Sequence, residues 1–264
     1  MSAKEVNKRL QHLYEQKEST LQEESKYVYT KSVHIRHWLV GMTVAYRKRP
    51  TVKATVVSLS AAGWSNPILF AEPNSNNLPD SSLDIRVLKN ETVLGNWKNF
   101  CCRLEYMVKS QAKYLLLVQD DVEFLPGTRE WLENNWPCNN GIVSLYRSAR
   151  YAIDKSTEES NKIYDILSLG HTFLGMLAVA ITHNHAESLL MNLEAMTDTN
   201  PQQDDIKFGK WAHALRIPIN IVRDSRCQHT GVTSSVYPHT TTISNSRKAD
   251  TYYNTPCSNT NVKR

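Results

Sequence analysis

The densest hydrophobic pattern in the chain runs from Tyr114 to Phe124, Tyr-Leu-Leu-Leu-Val-Gln-Asp-Asp-Val-Glu-Phe. Four consecutive apolar residues, Leu115 to Val118, can all be buried only if both faces of an extended strand are covered. That predicts a central strand of a parallel, helix-covered sheet. Upstream, Trp38 to Tyr46 predicts a first strand ending in the basic turn Arg47-Lys48-Arg49. Pro50 suits the start of a helix whose apolar face is Val52, Val56, Val57 and Leu59, with Gly63 as its stop. Pro67 to Glu72 reads as a short strand, residues 73–82 as a polar loop, and Asp84 to Leu88 as a third strand. Asn96 to Gln111 has helical spacing and leads into the strand before Asp120.

The second half predicts a strand from Gly141 to Arg147, a polar loop over 152–163, and a β-prone segment from Phe173 to Thr182. It continues with a helix from Ala186 to Met196, another starting at Asn200-Pro201, and a last strand from Ile217 to Val222. Strand–helix–strand alternation with short links gives an α/β fold with a Rossmann-like, mostly parallel central sheet, spanning residues 31–238. Residues 1–30 space Val6, Leu10, Leu13, Tyr14 and Leu21 as an amphipathic helix. Residues 239–264 are polar and are expected to form a loosely held tail.

Charge adds one asymmetry. Of the net +5, residues 1–53 hold eleven Lys and Arg against five Glu, while the rest of the chain is nearly balanced. A basic segment of this kind suits a polyanion such as nucleic acid, or serves only to keep the chain in solution. No apolar run approaches the ~20 residues of a membrane span, and the polar N-terminus does not resemble a secretory signal. Five cysteines without metal-ligand spacing fit free thiols in a reducing cytosol. The cytoplasm is therefore the expected compartment.

Candidate chemistry sits in three places. Asp120 and Asp121 emerge where a strand leaves the sheet, where open α/β folds bind ligands. Their mutual repulsion suits a divalent cation holding a phosphorylated substrate, and equally a solvated turn. Asp204 and Asp205 open a predicted helix, where the macrodipole favours acids whether or not they act. His229 follows the last strand, where a structural role is as open as a ligating one. Together, a strand-end acid, a helix-mounted acid and a late histidine are what metal-assisted group transfer requires.

Gln119-Asp120-Asp121, Asp204-Asp205 and His229 together resemble the acidic triplet, late acidic pair and late histidine of GT-A fold glycosyltransferases. The first triplet position departs from the usual acid. Within that fold the chain is most similar to the base J-type DNA glucosyltransferases and their phage and bacterial relatives. The stretches carrying this likeness include Thr43 to Arg47, Ser58 to Trp64, Leu69 to Glu72, Gly95 to Trp97, Val118 to Phe124, Ser144 to Tyr146, Phe173 to Leu177 and Gln228-His229.

The resemblance implies a GT-A-like domain that moves a hexose, glucose by preference, from a UDP-sugar with inversion, using Mn²⁺ or Mg²⁺. It implies Asp121 and His229 as metal ligands, and Asp205, or else Asp204, as the base. It implies Thr43, Val44, Ala45, Tyr46, Arg47, Glu72, Trp97 and Asp120 around the donor. Arg49, Arg147 and Arg150 are candidates for acceptor phosphates. The implied acceptor is a 5-hydroxymethylpyrimidine in double-stranded DNA, and for a phage-encoded protein the compartment would be the host cytoplasm. Two alternatives stand beside it: the same chemistry on a protein or glycan hydroxyl, and an inactive nucleotide- or DNA-binding module.

Overall fold

The computed structural model describes residues 38–79, 85–148, 163–167, 172–192 and 204–230. The chain divides into two units, Met1–Ile35 and Arg36–Arg264, and every described residue belongs to the second. The expected N-terminal helix, C-terminal tail, helix start at Asn200-Pro201 and Arg150 lie outside the described residues.

The described elements are strands β1 (Trp38–Val44), β2 (Ile68–Ala71), β3 (Val87–Lys89), β4 (Tyr114–Gln119), β5 (Val122–Phe124), β6 (Ile142–Ser144), β7 (Tyr164–Ile166), β8 (Ala178–Thr182), β9 (Ile219–Val222) and β10 (Cys227–His229). The helices are α1 (Val52–Ala61), α2 (Gly95–Val108), α3 (Thr128–Asn134), α4 (His183–Asn192) and α5 (Asp204–Ala214). Eight strands form one sheet in the order β3-β2-β1-β4-β8-β6-β9-β7. Strands β3, β2, β1 and β4 are mutually parallel, as are β6 and β9. Strand β8 runs antiparallel to both β4 and β6, and β7 antiparallel to β9. The parallel core expected from the sequence is therefore present, with β8 interrupting it and β7 added antiparallel at one edge.

Why β4 is central follows from its side chains. Leu115 to Val118 are all fully buried. Because side chains alternate along a strand, Leu116 and Val118 join Val40, Met42 and Leu59 in one core layer. Leu115 and Leu117 join Phe100, Leu104, Leu189 and Trp211 in the other. Burying an apolar side chain of this size contributes roughly 1.5–3 kcal/mol, so a charge anywhere in this run would oppose the whole stack.

Two ties hold the carboxyl ends of the strands in place. Arg103, buried on α2, donates from Nη1 to the carbonyls of Gly41 at 3.2 Å and Val118 at 2.7 Å, joining β1 to β4. Glu72, immediately after β2, accepts from the N–H groups of Leu94 (2.9 Å) and Gly95 (3.1 Å) and from Asn99 Nδ2 (3.1 Å). It thus caps the N-terminus of α2, whose first N–H groups would otherwise lack acceptors. That cap fixes the start of α2 at the same end of the sheet as Asp120.

Candidate active site

The strand order reverses between β1 and β4, the position at which open α/β sheets offer a ligand crevice beyond their carboxyl ends. Asp120 and Asp121 form the turn between β4 and β5, and both are 1% exposed. Asp120 accepts from Ala45 N–H at 3.1 Å, Asn77 Nδ2 at 2.8 Å and Arg47 Nε at 3.2 Å, and forms an ion pair with Arg47 Nη2 at 2.5 Å. Burial pushes its carboxyl above the usual carboxylate range, against the pull of Arg47. Arg47 Nη1 also lies 2.8 Å from Asp121 Oδ2. Burial works against the arginine's charge, and the two carboxylates more than offset it, so the guanidinium stays protonated. One planar cation therefore bridges the acidic pair.

His229 reaches the same carboxylate by a route the sequence does not advertise. Strands β5 and β10 pair antiparallel, setting His229 opposite Val122. Thr230 N–H donates to the Asp121 carbonyl at 2.8 Å, and His229 Nε2 lies 2.8 Å from Asp121 Oδ2. At this separation the two side chains share a hydrogen bond, and a divalent cation would have to take its place between them. Two ligand atoms about 2.1 Å from a metal and at right angles lie about 3.0 Å apart. Asp121 and His229 would hold such an ion, and Arg47, on the same oxygen, would compete with it. Among the described residues no group of three or more His, Cys, Asp or Glu side chains is placed to hold a metal ion, so further ligands would come from substrate or water.

The expected donor residues divide by what they do. Tyr46 is 50% exposed at the mouth of the crevice, Thr43 and Ala45 are half-buried, and Val44 is wholly buried. Glu72 caps α2 as described, leaving about one of its four acceptor positions for a ligand. Trp97 stacks on Phe100 with centroids 5.3 Å apart and is 9% exposed. Arg49 is exposed in the β1–α1 loop. Arg147, a candidate for acceptor phosphates, lies inside the protein. It is 1% exposed, and its Nη1 is paired with Asp165 Oδ2 at 2.5 Å, while Asp165 also binds Arg223 at 3.0 Å. This internal bridge ties the end of β6 to β7 and β9. His183 and His185 lie at the start of α4, beside the amino end of β4, and His183 Nδ1 contacts the Ala112 carbonyl at 3.1 Å.

Asp204 and Asp205 open α5 as expected. Asp204 is 9% exposed, and its carboxyl is pushed up to about 7, first by burial and then by Asp205, with Arg103 pulling the other way. Asp205 accepts from Gly175 N–H at 3.3 Å and from Ile206 N–H at 2.9 Å. Through Arg103 the pair is linked electrostatically to the carboxyl ends of β1 and β4.

Sequence reasoning passed over Asn77 and Thr55. Asn77 Oδ1 accepts from Thr51 and Val52 at the start of α1 while its Nδ2 donates to Asp120. Thr55 Oγ1 donates to the Asp120 carbonyl at 2.8 Å and accepts from Val122 N–H at 3.2 Å. An asparagine in a polar loop looks like any loop residue, and only the fold reveals its role.

No protein-family model matches the chain, and no curated protein matches it in sequence. Among solved structures it is similar to a nucleotidyl transferase from Methanothermobacter thermautotrophicus, with a TM-score of 0.46, 12% identity, and coverage of 71% of this chain and 88% of that one. It is also similar to a CMP:2-keto-3-deoxy-manno-octonic acid synthetase complexed with CTP, with a TM-score of 0.42, 10% identity, and 70% and 88% coverage. A third is described as a glucose-1-phosphate thymidylyltransferase from Bacillus anthracis in complex with sucrose, with a TM-score of 0.48, 7% identity, and 74% and 90% coverage. At these identities the likeness is one of chain fold and goes no further.

Proposed function

We propose that this protein is a nucleotide-sugar-dependent transferase that moves a hexose from a UDP-sugar to a hydroxyl acceptor with inversion. The observation that carries the reading is the convergence of Arg47, Asp120, Asp121 and His229 at the carboxyl-end crevice between β1 and β4. The donor's diphosphate belongs at that cluster, with Arg47 at hand for its oxygens. Mn²⁺ or Mg²⁺ held by Asp121 and His229 would supply electrostatic stabilisation of the departing diphosphate. Asp204 takes the role of general base in preference to Asp205, because a carboxyl near neutrality is matched to accepting a proton at physiological pH. It takes the acceptor hydroxyl's proton as that oxygen bonds to the anomeric carbon. The bond from that carbon to the diphosphate breaks on the opposite face, and UDP leaves.

The acceptor we propose is a 5-hydroxymethylpyrimidine in DNA, supported by the resemblance of the stretches named above to DNA glucosyltransferases and by the basic residues around Arg49. The test is transfer of radiolabelled glucose from UDP-glucose to duplex DNA containing hydroxymethyluracil, with Mn²⁺. Incorporation is expected, and Asp121→Ala should lower it roughly 100-fold or more. If no UDP-hexose labels any hydroxylated DNA, the DNA acceptor is wrong. If the protein also fails to hydrolyse or bind any UDP-hexose, so is the donor.

A further inference from the structure

Lys207 has no part in the cluster described so far, yet it is 4% exposed. Its Nζ lies 5.1 Å from the centre of the Trp97 ring. Among the described residues its partners are that ring and the Cys101 thiol, on which its charge acts, and neither a hydrogen-bond acceptor nor a carboxylate engages the ammonium. A lysine this deep is uncommon, and a single cation–π contact contributes only about 0.5–2 kcal/mol. An anion brought by a ligand would complete the site.

Placement narrows the choice of anion. Trp97 stands in the first turn of α2, which Glu72 anchors at the carboxyl end of β2, the same end of the sheet as Asp120 and Asp121. Lys207 is one helical turn beyond Asp204 on the buried side of α5. The lysine thus approaches the crevice from the α2–α5 side, whereas Arg47 follows β1 and is held among Asp120, Asp121 and residues of the α1 side. Its depth suits a small ligand, since the phosphates of a rigid duplex cannot follow it inside.

We propose that Lys207 binds the donor's diphosphate, a second protein-borne cation facing Arg47 across the crevice. This rests on the reading of the protein as a nucleotide-sugar transferase. Calorimetric titration with UDP, uridine and inorganic pyrophosphate, in EDTA and again with Mn²⁺, tests both ideas separately. Lys207→Met should weaken UDP and pyrophosphate binding by about 10- to 100-fold, the usual worth of a charge-assisted contact, and leave uridine binding unchanged. Lys207→Arg should recover most of the loss. A merely structural lysine would change uridine and UDP affinity together, or neither, and either result overturns the proposal. Should Lys207→Met not fold, Lys207→Gln carries the same comparison. If the wild-type protein binds pyrophosphate through Lys207 but no nucleotide, the donor reading fails while the anion site stands. If it binds UDP and Lys207→Met matches it, the donor reading stands and the role of Lys207 falls.

Discussion

Asp204 gives stability a pH dependence of definite sign. Its carboxyl titrates near 7 in the folded protein against an ordinary value of 3.8. Between those values the native state holds a proton that the unfolded chain has released. Stability is therefore full below about pH 4 and falls as pH rises through 7, by an amount on the order of 4 kcal/mol at full ionisation. Asp204→Asn should remove that slope and be the more stable protein at pH 8, as read from urea midpoints between pH 5 and pH 8. Equal slopes in the two proteins would mean the carboxyl ionises freely. Arg47 makes the complementary case. Arg47→Met leaves two adjacent buried carboxylates without their cation, which should cost about 3–5 kcal/mol. It also clears Asp121 Oδ2 for a metal. Mn²⁺ should then raise the melting temperature of Arg47→Met more than that of the wild type, by mass action on the folded state. An equal rise in both would show that arginine and metal do not share the site.

At the scale of elements, the Thr55 hydroxyl ties α1 to the turn between β4 and β5. Thr55 Oγ1 bridges the Asp120 carbonyl and the Val122 N–H, both interior groups. Thr55→Val keeps the side chain's shape and strands both backbone groups, so it should lower stability by about 1–3 kcal/mol in denaturant unfolding, with Thr55→Ser close to wild type. The same turn carries Asp121, so Thr55→Val should also weaken Mn²⁺ binding. Much of this architecture was legible in the sequence because local pattern encodes it. Leu115 to Val118 could only be a doubly covered strand, and its acids had to follow at the strand's end. What was hidden is non-local. Cys227-Gln228-His229 has no strand signature of its own, and its pairing with Val122 to Phe124 joins segments about a hundred residues apart. Likewise, nothing in Pro67 to Glu72 announces that the terminal acid caps a helix beginning at Gly95, and the reversal of β8 leaves no trace in its apolar pattern.

For the whole molecule, the fold changes the meaning of the basic surplus in residues 1–53. Arg47, Lys48 and Arg49 are consecutive in the β1–α1 loop, so part of the surplus sits at the mouth of the crevice. Arg47 is already neutralised by Asp120 and Asp121, leaving Lys48 and Arg49 exposed beside the half-exposed Tyr46. Two exposed cations at the rim suit an acceptor whose charge continues past the reacting hydroxyl, which duplex DNA has and a neutral glycan lacks. Binding to hydroxymethylated duplex should then weaken steeply with salt. Lys48→Gln and Arg49→Gln should each reduce the slope of log K against log salt by about 1, because each phosphate contact releases about one counterion. UDP affinity should not change in either variant, since Arg47 and the acidic pair are intact. Salt-insensitive acceptor binding, or slopes unmoved by both substitutions, would take DNA away from this rim and favour a protein or glycan hydroxyl as the acceptor.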